Sequence, residues 1–376
     1  MIVERLELVE FRNYAHAVFD LTAGVTVVVG DNGQGKTNFA EALAYLATLS
    51  SFRSAPPEAL VRVGAGRAVV RAEVRDDDGR ASLIEAELVP GGRHRVQVNR
   101  QRLGKSRDLL GTVRVTVFSP DDLTLVKGGP ADRRRFLDDT LVALAVKYDA
   151  ARLELERIVR QRNTLLRQAS GRLDEGTATT LDVWDARLAA AGGRFGHARA
   201  TLVERIEPYV ATAYHQLAGT PTPLLLRYDP PWRRTGLAEA LIAARPDDVR
   251  RGMSTVGPHR DELVLSINDL PARTHASQGE QRTLALALRL AAHRLIGERT
   301  GSAPVLVLDD VLSELDTGRA GALLAHLPPG QIVITTAGAV PVAAAEKRRL
   351  RIHAGSVVDE RSADDLDVVG TVVPGG

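Results

Sequence analysis

The octet Gly30-Asp31-Asn32-Gly33-Gln34-Gly35-Lys36-Thr37 fits the pattern G-x-x-x-x-G-K-[ST]. Each residue type in it has a chemical reason to be there. Glycines let the backbone curl round a phosphate with its N–H groups turned inward, and the start of a following helix adds a favourable dipole. Lys36 would reach the β and γ phosphates, and the Thr37 hydroxyl can ligate magnesium. The expectation is an ATP or GTP site that works with Mg²⁺. The elements that must present such a loop arrive in the required order. Val25 to Val29 reads as a buried strand, Gly30 follows directly, and Asn38 to Leu49 has the composition of a helix. Further upstream, apolar Ile2, Leu6 and Leu8 interleave with Glu4, Arg5 and Glu7, which predicts a first strand.

A second chemical signal lies far downstream. The apolar run Val305 to Leu308 ends in Asp309-Asp310, the pattern of a central parallel strand that delivers acids at its C-terminal end. Asp309 is expected to hold the magnesium, through water, and Asp310 to orient or deprotonate an attacking water, so that Asp310 and Lys36 are the catalytic candidates. An acidic residue in this place can also be a simple helix N-cap. Ser313-Glu314-Leu315-Asp316 comes next, and Gln331 to Thr336 reads as another buried strand ending in polar residues.

The third signal is Ser277-Gln278-Gly279-Glu280-Gln281, at the head of a helix whose Leu284, Leu288, Ala291 and Leu295 recur at helical spacing. A serine with a glutamate three residues later is a capping box. That accounts for Ser277 and Glu280 but not for Gly279, since glycine in a first turn costs about 1 kcal/mol relative to alanine. Glycine there suits a position that another backbone or a phosphate must approach closely.

The phosphate loop (Walker A), the Ser-x-Gly helix start, the aspartate strand (Walker B) and the Ser-Glu-Leu-Asp segment together resemble the heads of ABC-type ATPases. The resemblance implies that Ser277 to Gln281 are a signature acting in trans on nucleotide bound by a second copy, that Ser313 to Asp316 form the D-loop, and that ATP drives a homodimer. Phe118 to Pro130 running into Arg133-Arg134-Arg135-Phe136-Leu137-Asp138, Asp309 to Asp316 followed by Arg319, Leu8 to Tyr14, and Gly257 to Asp261 are similar to the RecF family of bacterial DNA replication and repair proteins, ABC/SMC-like ATPases. The matches run over nearly the whole chain. They imply a protein that clamps DNA, single-stranded, double-stranded or at junctions, in its ATP-bound form. They also imply action at single-strand gaps with RecR and RecO, in support of RecA loading and the SOS response. Glu280 stands where that family more often has glutamine. Asp310 stands where transporter heads carry glutamate, and no histidine follows Gln331 to Ile334 where those heads place one. Slow hydrolysis that serves as a timer is therefore expected. The readings set against this one are the ATPase subunit of an ABC-type transporter and a short SMC-like structural DNA tether.

Between the two ATPase halves, Leu137, Leu141, Leu144, Tyr148, Ala151, Leu155, Ile158 and Leu165 follow heptad-like steps broken only by Arg162. A second series, Leu181, Trp184, Leu188, Ala191, Phe195, Ala198 and Leu202, follows the Gly171 to Gly176 turn. Two antiparallel helices packed along a seam are predicted, each of roughly forty residues and about 55 to 60 Å long at 1.5 Å per residue. The expected fold class is α/β: an ABC-type P-loop ATPase head with a mostly helical, coiled-coil-like inserted domain. The expected division is head 1–130, helical arm 131–252, head 253–358 and a flexible tail 359–376.

The 376 residues carry a net charge of +2 and no cysteine. Disulfides and thiolate chemistry are excluded, and the reading is a cytoplasmic protein with no membrane segment. A charge of +2 does not by itself mark a nucleic-acid binder, so the local basic groups carry that expectation. Arg93, Arg95, Arg100, Arg102, Lys105 and Arg107 lie in a hairpin-like stretch, and Arg133, Arg134 and Arg135 form a second group. Either group could equally be a solvated face. His197, His215 and His293 lack metal spacing, and His259 and Arg260 receive no chemical role from the sequence.

Overall fold

The computed structural model describes residues 1–338, 344 and 346–360, and the chain divides into two compact units. The head unit comprises Met1–Asp122, Ala213–Thr220 and the chain from Leu286 onward; the inserted unit comprises Leu123–Thr212 and Pro221–Ala285. The sequence reading put the junctions at 130 and 253. By packing, the Gly257 to Asp261 stretch and the start of the signature helix group with the inserted unit instead.

In the head unit, β1 (Ile2–Phe11) and β2 (Tyr14–Asp20) form a hairpin, and β3 (Gly24–Val29) leads through the phosphate loop into α1 (Lys36–Thr48). β4 (Ala68–Arg75), β5 (Ala81–Leu88), β6 (Arg95–Val98) and β7 (Gln101–Arg102) follow, then β8 (Val115–Phe118). The inserted unit supplies α2 (Thr124–Lys127), α3 (Pro130–Leu144), α4 (Lys147–Gln168), most of α5 (Glu175–Ala218), β9 (Leu224–Arg227), α6 (Trp232–Thr235), α7 (Leu237–Arg251), β10 (Val264–Ile267), β11 (Leu270–Pro271) and α8 (Ala272–His275). The signature helix α9 (Gln278–Thr300) begins there and ends in the head. The head is completed by β12 (Val305–Asp309), α10 (Thr317–Ala325), β13 (Gln331–Thr336), β14 (Arg348–His353) and β15 (Ser356–Glu360). The strand β15 takes in the first two residues of the expected tail, and the rest of that tail lies outside the described residues.

Two sheets build the head. One is antiparallel, in the order β2-β1-β4-β5-β6-β7; the other runs β15-β14-β3-β13-β12-β8, parallel from β14 to β8. Every residue of β12 and β13 is buried, as the unbroken apolar runs require of strands covered on both faces. The β1 strand corrects a detail. Val3, not Ile2, is buried beside Leu6 and Leu8, because a bulge between Val3 and Arg5 inserts one residue and shifts the inward phase. Phe39 of α1 packs on Phe19 with ring centroids 4.4 Å apart, and Phe19 meets Tyr14 edge to face at 5.6 Å, which ties the helix after the phosphate loop to β2.

The inserted unit departs from a two-helix seam. The first heptad series is cut at Ala145, whose extended backbone ends α3 before α4 begins. Arg162, the break in the pattern, is fully buried. Its guanidinium donates to Asp185 of α5 at 2.6 Å, to Asp248 of α7 at 2.6 Å and to the Ser254 hydroxyl at 2.9 Å. Leu166, Leu181 and Val249 of the same three helices pack together in a small apolar cluster. Three helices, α4, α5 and α7, are thus tied by one buried cation, where the heptad pattern predicted two joined along an apolar seam. The small sheet β11-β10-β9 completes the unit.

Candidate functional site

The phosphate loop is closed by contacts that only glycine permits at two points. A Cβ on Gly30 would lie 2.5 Å from the Ile352 carbonyl oxygen of β14, and one on Gly35 would lie 2.7 Å from both Asn13 and Tyr14. Gly35 also has φ +122, a left-handed backbone that side chains disfavour. The Lys36 ammonium donates to the carbonyls of Gly30 at 2.6 Å and Asp31 at 2.9 Å, so it is folded back over the loop. Burial lowers its pKa, and the carboxylates of Asp310, Asp309 and Asp31 act against that.

The Walker B strand meets this loop side by side. Thr37 Oγ1 donates to Asp309 Oδ1 at 3.3 Å, and the Thr335 hydroxyl of β13 donates to the same oxygen at 2.6 Å. Burial raises the Asp309 pKa; the two hydroxyls lower it, as does the exposed Arg53, while Asp310 raises it further. Asp310 leaves the strand with φ +52, a left-handed turn that aspartate tolerates better than most residues. Its Oδ1 is buried and accepts no hydrogen bond among the described residues. Asp310 does not cap a helix; Asp316 does, accepting from the Arg319 amide at 2.9 Å at the start of α10. Ser313, in the segment expected to be the D-loop, donates to the Asp310 carbonyl at 2.7 Å.

These oxygens suit a hard divalent cation. Magnesium prefers a hydroxyl and one or two carboxylates supplemented by water and phosphate, rather than an all-protein cage. Thr37 and Asp309 converge in that way, and among the described residues no cluster of three or more His, Cys, Asp or Glu side chains could hold a metal alone.

The signature segment lies in the inserted unit, and its partners are local. Ser277 Oγ accepts from the Glu280 amide at 3.3 Å while Glu280 Oε2 accepts from the Ser277 amide at 2.7 Å, a complete capping box. Gln281 is buried and donates to the carbonyls of Ala272 and Arg273 at 3.0 and 3.1 Å. Ser277 and Gln278 are exposed, with Gly279 half-buried between them and the helix body. Later in α9, within the head, Arg289 pairs with Asp122 at 2.6 Å, anchoring the helix to the turn after β8.

The basic candidates separate. Arg93, Arg95, Arg100, Arg102, Lys105 and Arg107 are all exposed around the β6–β7 hairpin, whose turn residues Asn99 and Arg100 have φ +51 and +65. Arg95 pairs at 3.5 Å with Glu87, which Arg67 also engages at 2.9 Å. Arg133 is a correction: it is buried, its guanidinium grips Glu262 with two hydrogen bonds of 2.7 and 2.9 Å, and it also donates to the carbonyls of Leu125 and Gly128. A side chain so committed is no phosphate contact. Arg134 donates to the Asp261 carbonyl at 2.8 Å, and Arg135 is exposed beside Asp139.

Several residues that brace the site received no chemical role from the sequence, although Asn13 and Tyr14 lie in the family-like Leu8 to Tyr14 stretch. Asn13 donates to the Gln34 carbonyl at 2.8 Å and accepts from Asn38 at 2.8 Å, and Tyr14 donates to the Gly35 carbonyl at 2.8 Å. On the opposite flank the Ala354 amide donates to the Gln34 side chain at 2.5 Å. Two hairpin turns, β1–β2 and β14–β15, therefore brace the phosphate loop. Arg12, just before Asn13, pairs with the buried Glu41 of α1 at 2.7 Å.

The family described as RecF/RecN/SMC N terminal domain matches residues 2–352 of the chain. The DNA replication and repair protein RecF of Streptomyces avermitilis is 45% identical over 350 residues, covering 90% of this chain and 93% of the relative. A solved structure of the recombination mediator protein RecF with ATP, in the RecFOR pathway, superposes with a TM-score of 0.87 at 28% identity, over 96% of this chain and 97% of that one. The Smc head domain of Pyrococcus furiosus shares the fold, with a TM-score of 0.58 at 18% identity over 97% of both chains.

Proposed function

The chain belongs to the RecF/RecN/SMC N terminal domain family, and from that premise we propose that it is an ATP-switched DNA-binding protein of DNA replication and repair. The observation that carries the reading is the hydrogen bond of Thr37 to Asp309, which joins a glycine-closed phosphate loop to an acidic strand end in one site. The RecF relatives and the RecF structure with ATP support ATP as the nucleotide. The loop amides and Lys36 bind its phosphates; Thr37 and Asp309 would hold Mg²⁺, which supplies charge neutralisation at the phosphate oxygens. Asp310, with a carboxylate oxygen that accepts no hydrogen bond among the described residues, orients the attacking water and receives its proton. An aspartate in this role favours slow turnover, a timer for release from DNA.

Ser277 and Gln278 face solvent at the start of α9, and in this reading they cap the γ-phosphate of nucleotide bound by a second copy. ATP then closes a homodimer round DNA at single-strand gaps or junctions. RecR and RecO are the partners, and RecA loading and the SOS response the outcome. In sedimentation with no nucleotide, ADP or ATP, with and without gapped DNA, the wild type should dimerise only with ATP and bind DNA in that state. Ser277→Arg should bind ATP and remain monomeric. A wild type that stays monomeric with ATP and ignores DNA refutes the clamp.

A further inference from the structure

The β13 strand ends next to both Walker B aspartates, and one side chain there touches each of them. Thr335 is fully buried and lies opposite Asp309 in the parallel register. Its hydroxyl donates to Asp309 Oδ1 at 2.6 Å and accepts from the Asp310 amide at 3.1 Å; that amide also reaches the Thr335 carbonyl at 3.0 Å. We infer that Thr335 is a positioning residue of the nucleotide site, which sets the Asp309 carboxylate for Mg²⁺ and holds the left-handed turn that aims Asp310. The inference rests on the ATP and Mg²⁺ reading above.

Two features separate this from the ordinary need of a buried hydroxyl for a partner. A hydroxyl donates only one hydrogen bond, and Thr335 directs it to a carboxylate oxygen that also accepts from Thr37, so the rotation of Asp309 is set from two sides. The group it accepts from is the amide of the residue with φ +52, so the same hydroxyl steadies a backbone conformation that disfavours side chains. Removing the hydroxyl leaves the Asp309 carboxylate with Thr37 alone, and the Asp310 amide with the Thr335 carbonyl alone, among the described residues. The glycine-closed part of the phosphate loop, Gly30 to Gly35, whose contacts run to Asn13, Tyr14, Ile352 and Ala354, is untouched.

The experiment compares full-length wild type with Thr335→Val and Thr335→Ser, and adds Thr335→Ala so that Ala and Ser form a second pair differing only in the hydroxyl. ATP affinity is measured in EDTA and in Mg²⁺, alongside turnover and thermal unfolding. Affinity in EDTA should be the same for all. The gain in affinity on adding Mg²⁺ should shrink about tenfold in Thr335→Val and Thr335→Ala, as loss of a hydrogen bond to a charged group implies, and turnover should fall at least as far. Thr335→Ser should restore both. If Val does not fold, the Ala and Ser pair decides. Wild-type Mg²⁺ gain in the variants without a hydroxyl, or equal impairment in Ser, overturns the inference by assigning the site to packing. A wild type that binds ATP and shows no hydrolysis sinks the timer reading while the Mg²⁺ gain still judges Thr335. A wild type indifferent to ATP or to Mg²⁺ overturns both.

Discussion

Replacing Arg162 with alanine should unfold the inserted unit at markedly lower denaturant. Arg162 is the only cation bonded to Asp248 among the described contacts, and both side chains are fully buried. Asp185 keeps Arg245 at 2.6 Å when Arg162 is removed, but Asp248 is left with the amide and hydroxyl of Thr255, at 2.8 and 2.6 Å, and no positive charge. Breaking a buried pair in this way costs about 3 to 5 kcal/mol. With a urea dependence of about 2 kcal/mol per molar, the midpoint should fall by about 1.5 to 2.5 M. The assay is specific because both tryptophans of the chain, Trp184 and Trp232, lie in the inserted unit, so their fluorescence reports its unfolding. The double variant Arg162→Ala with Asp248→Asn, read against both single variants, removes the stranded charge and retains an acceptor for Thr255. It should recover at least half of the loss, giving a coupling energy of about 2 kcal/mol. A midpoint for Arg162→Ala within about 0.5 M of wild type would show that the buried cation does not organise the unit. Additive effects in the double variant would refute the pairing.

Gly30→Ala should weaken both nucleotide binding and the head, because its Cβ would lie 2.5 Å from the Ile352 carbonyl; a thermal-unfolding loss of about 1 to 3 kcal/mol is expected, and an unchanged melting temperature with normal ATP affinity contradicts the close approach. Lys36→Ala should reduce ATP affinity at least tenfold by calorimetry, the value of one or more hydrogen bonds from an ammonium to phosphate. Burial pushes His259 down to about 4, below an unfolded value near 6.5, so its contribution to stability is complete above pH 6.5 and is lost as pH falls through 4. At pH 5 the inserted unit should have lost about 2 kcal/mol through this group, and His259→Gln should flatten the profile relative to wild type; parallel profiles exclude the effect. Replacing Arg93, Arg100 and Arg102 with glutamine should leave stability within about 0.5 kcal/mol and lower the salt slope of duplex DNA binding by about 2 to 3, while Arg133→Gln should instead destabilise the protein.

The parts of the site read most directly from the chain are those whose chemistry is local. Gly30 to Thr37 are contiguous, and a phosphate cradle needs its glycines, lysine and hydroxyl at fixed offsets, so spacing alone exposes it. The aspartate strand was equally legible, since burial on both faces demands an unbroken apolar run before the acids. The capping box at Ser277 and Glu280 is also a matter of a three-residue offset. What Asn13, Thr335 and Ala354 touch was not legible, because a turn residue, a polar strand end and a backbone amide carry no periodic mark and their roles depend on what lies across the sheet.

Arg162 and Arg133 show the same limit from the opposite side. As letters, one is a defect in a heptad and the other a member of a basic cluster. Their carboxylate partners lie at Asp185, Asp248 and Glu262, as far as 129 positions away in the chain for Arg133. By itself the sequence determined the glycine loop between a strand and a helix, the acid-ended buried strand, the capped start of α9 and the α/β class, because each follows from short-range spacing and the periodicity of burial. Only the tertiary structure decided which arginines are buried ties and which face solvent, where the units divide, and which hydroxyl sets the aspartates. Those outcomes depend on desolvation and pairing between residues distant in the chain, and desolvation is fixed only when the chain has closed around them.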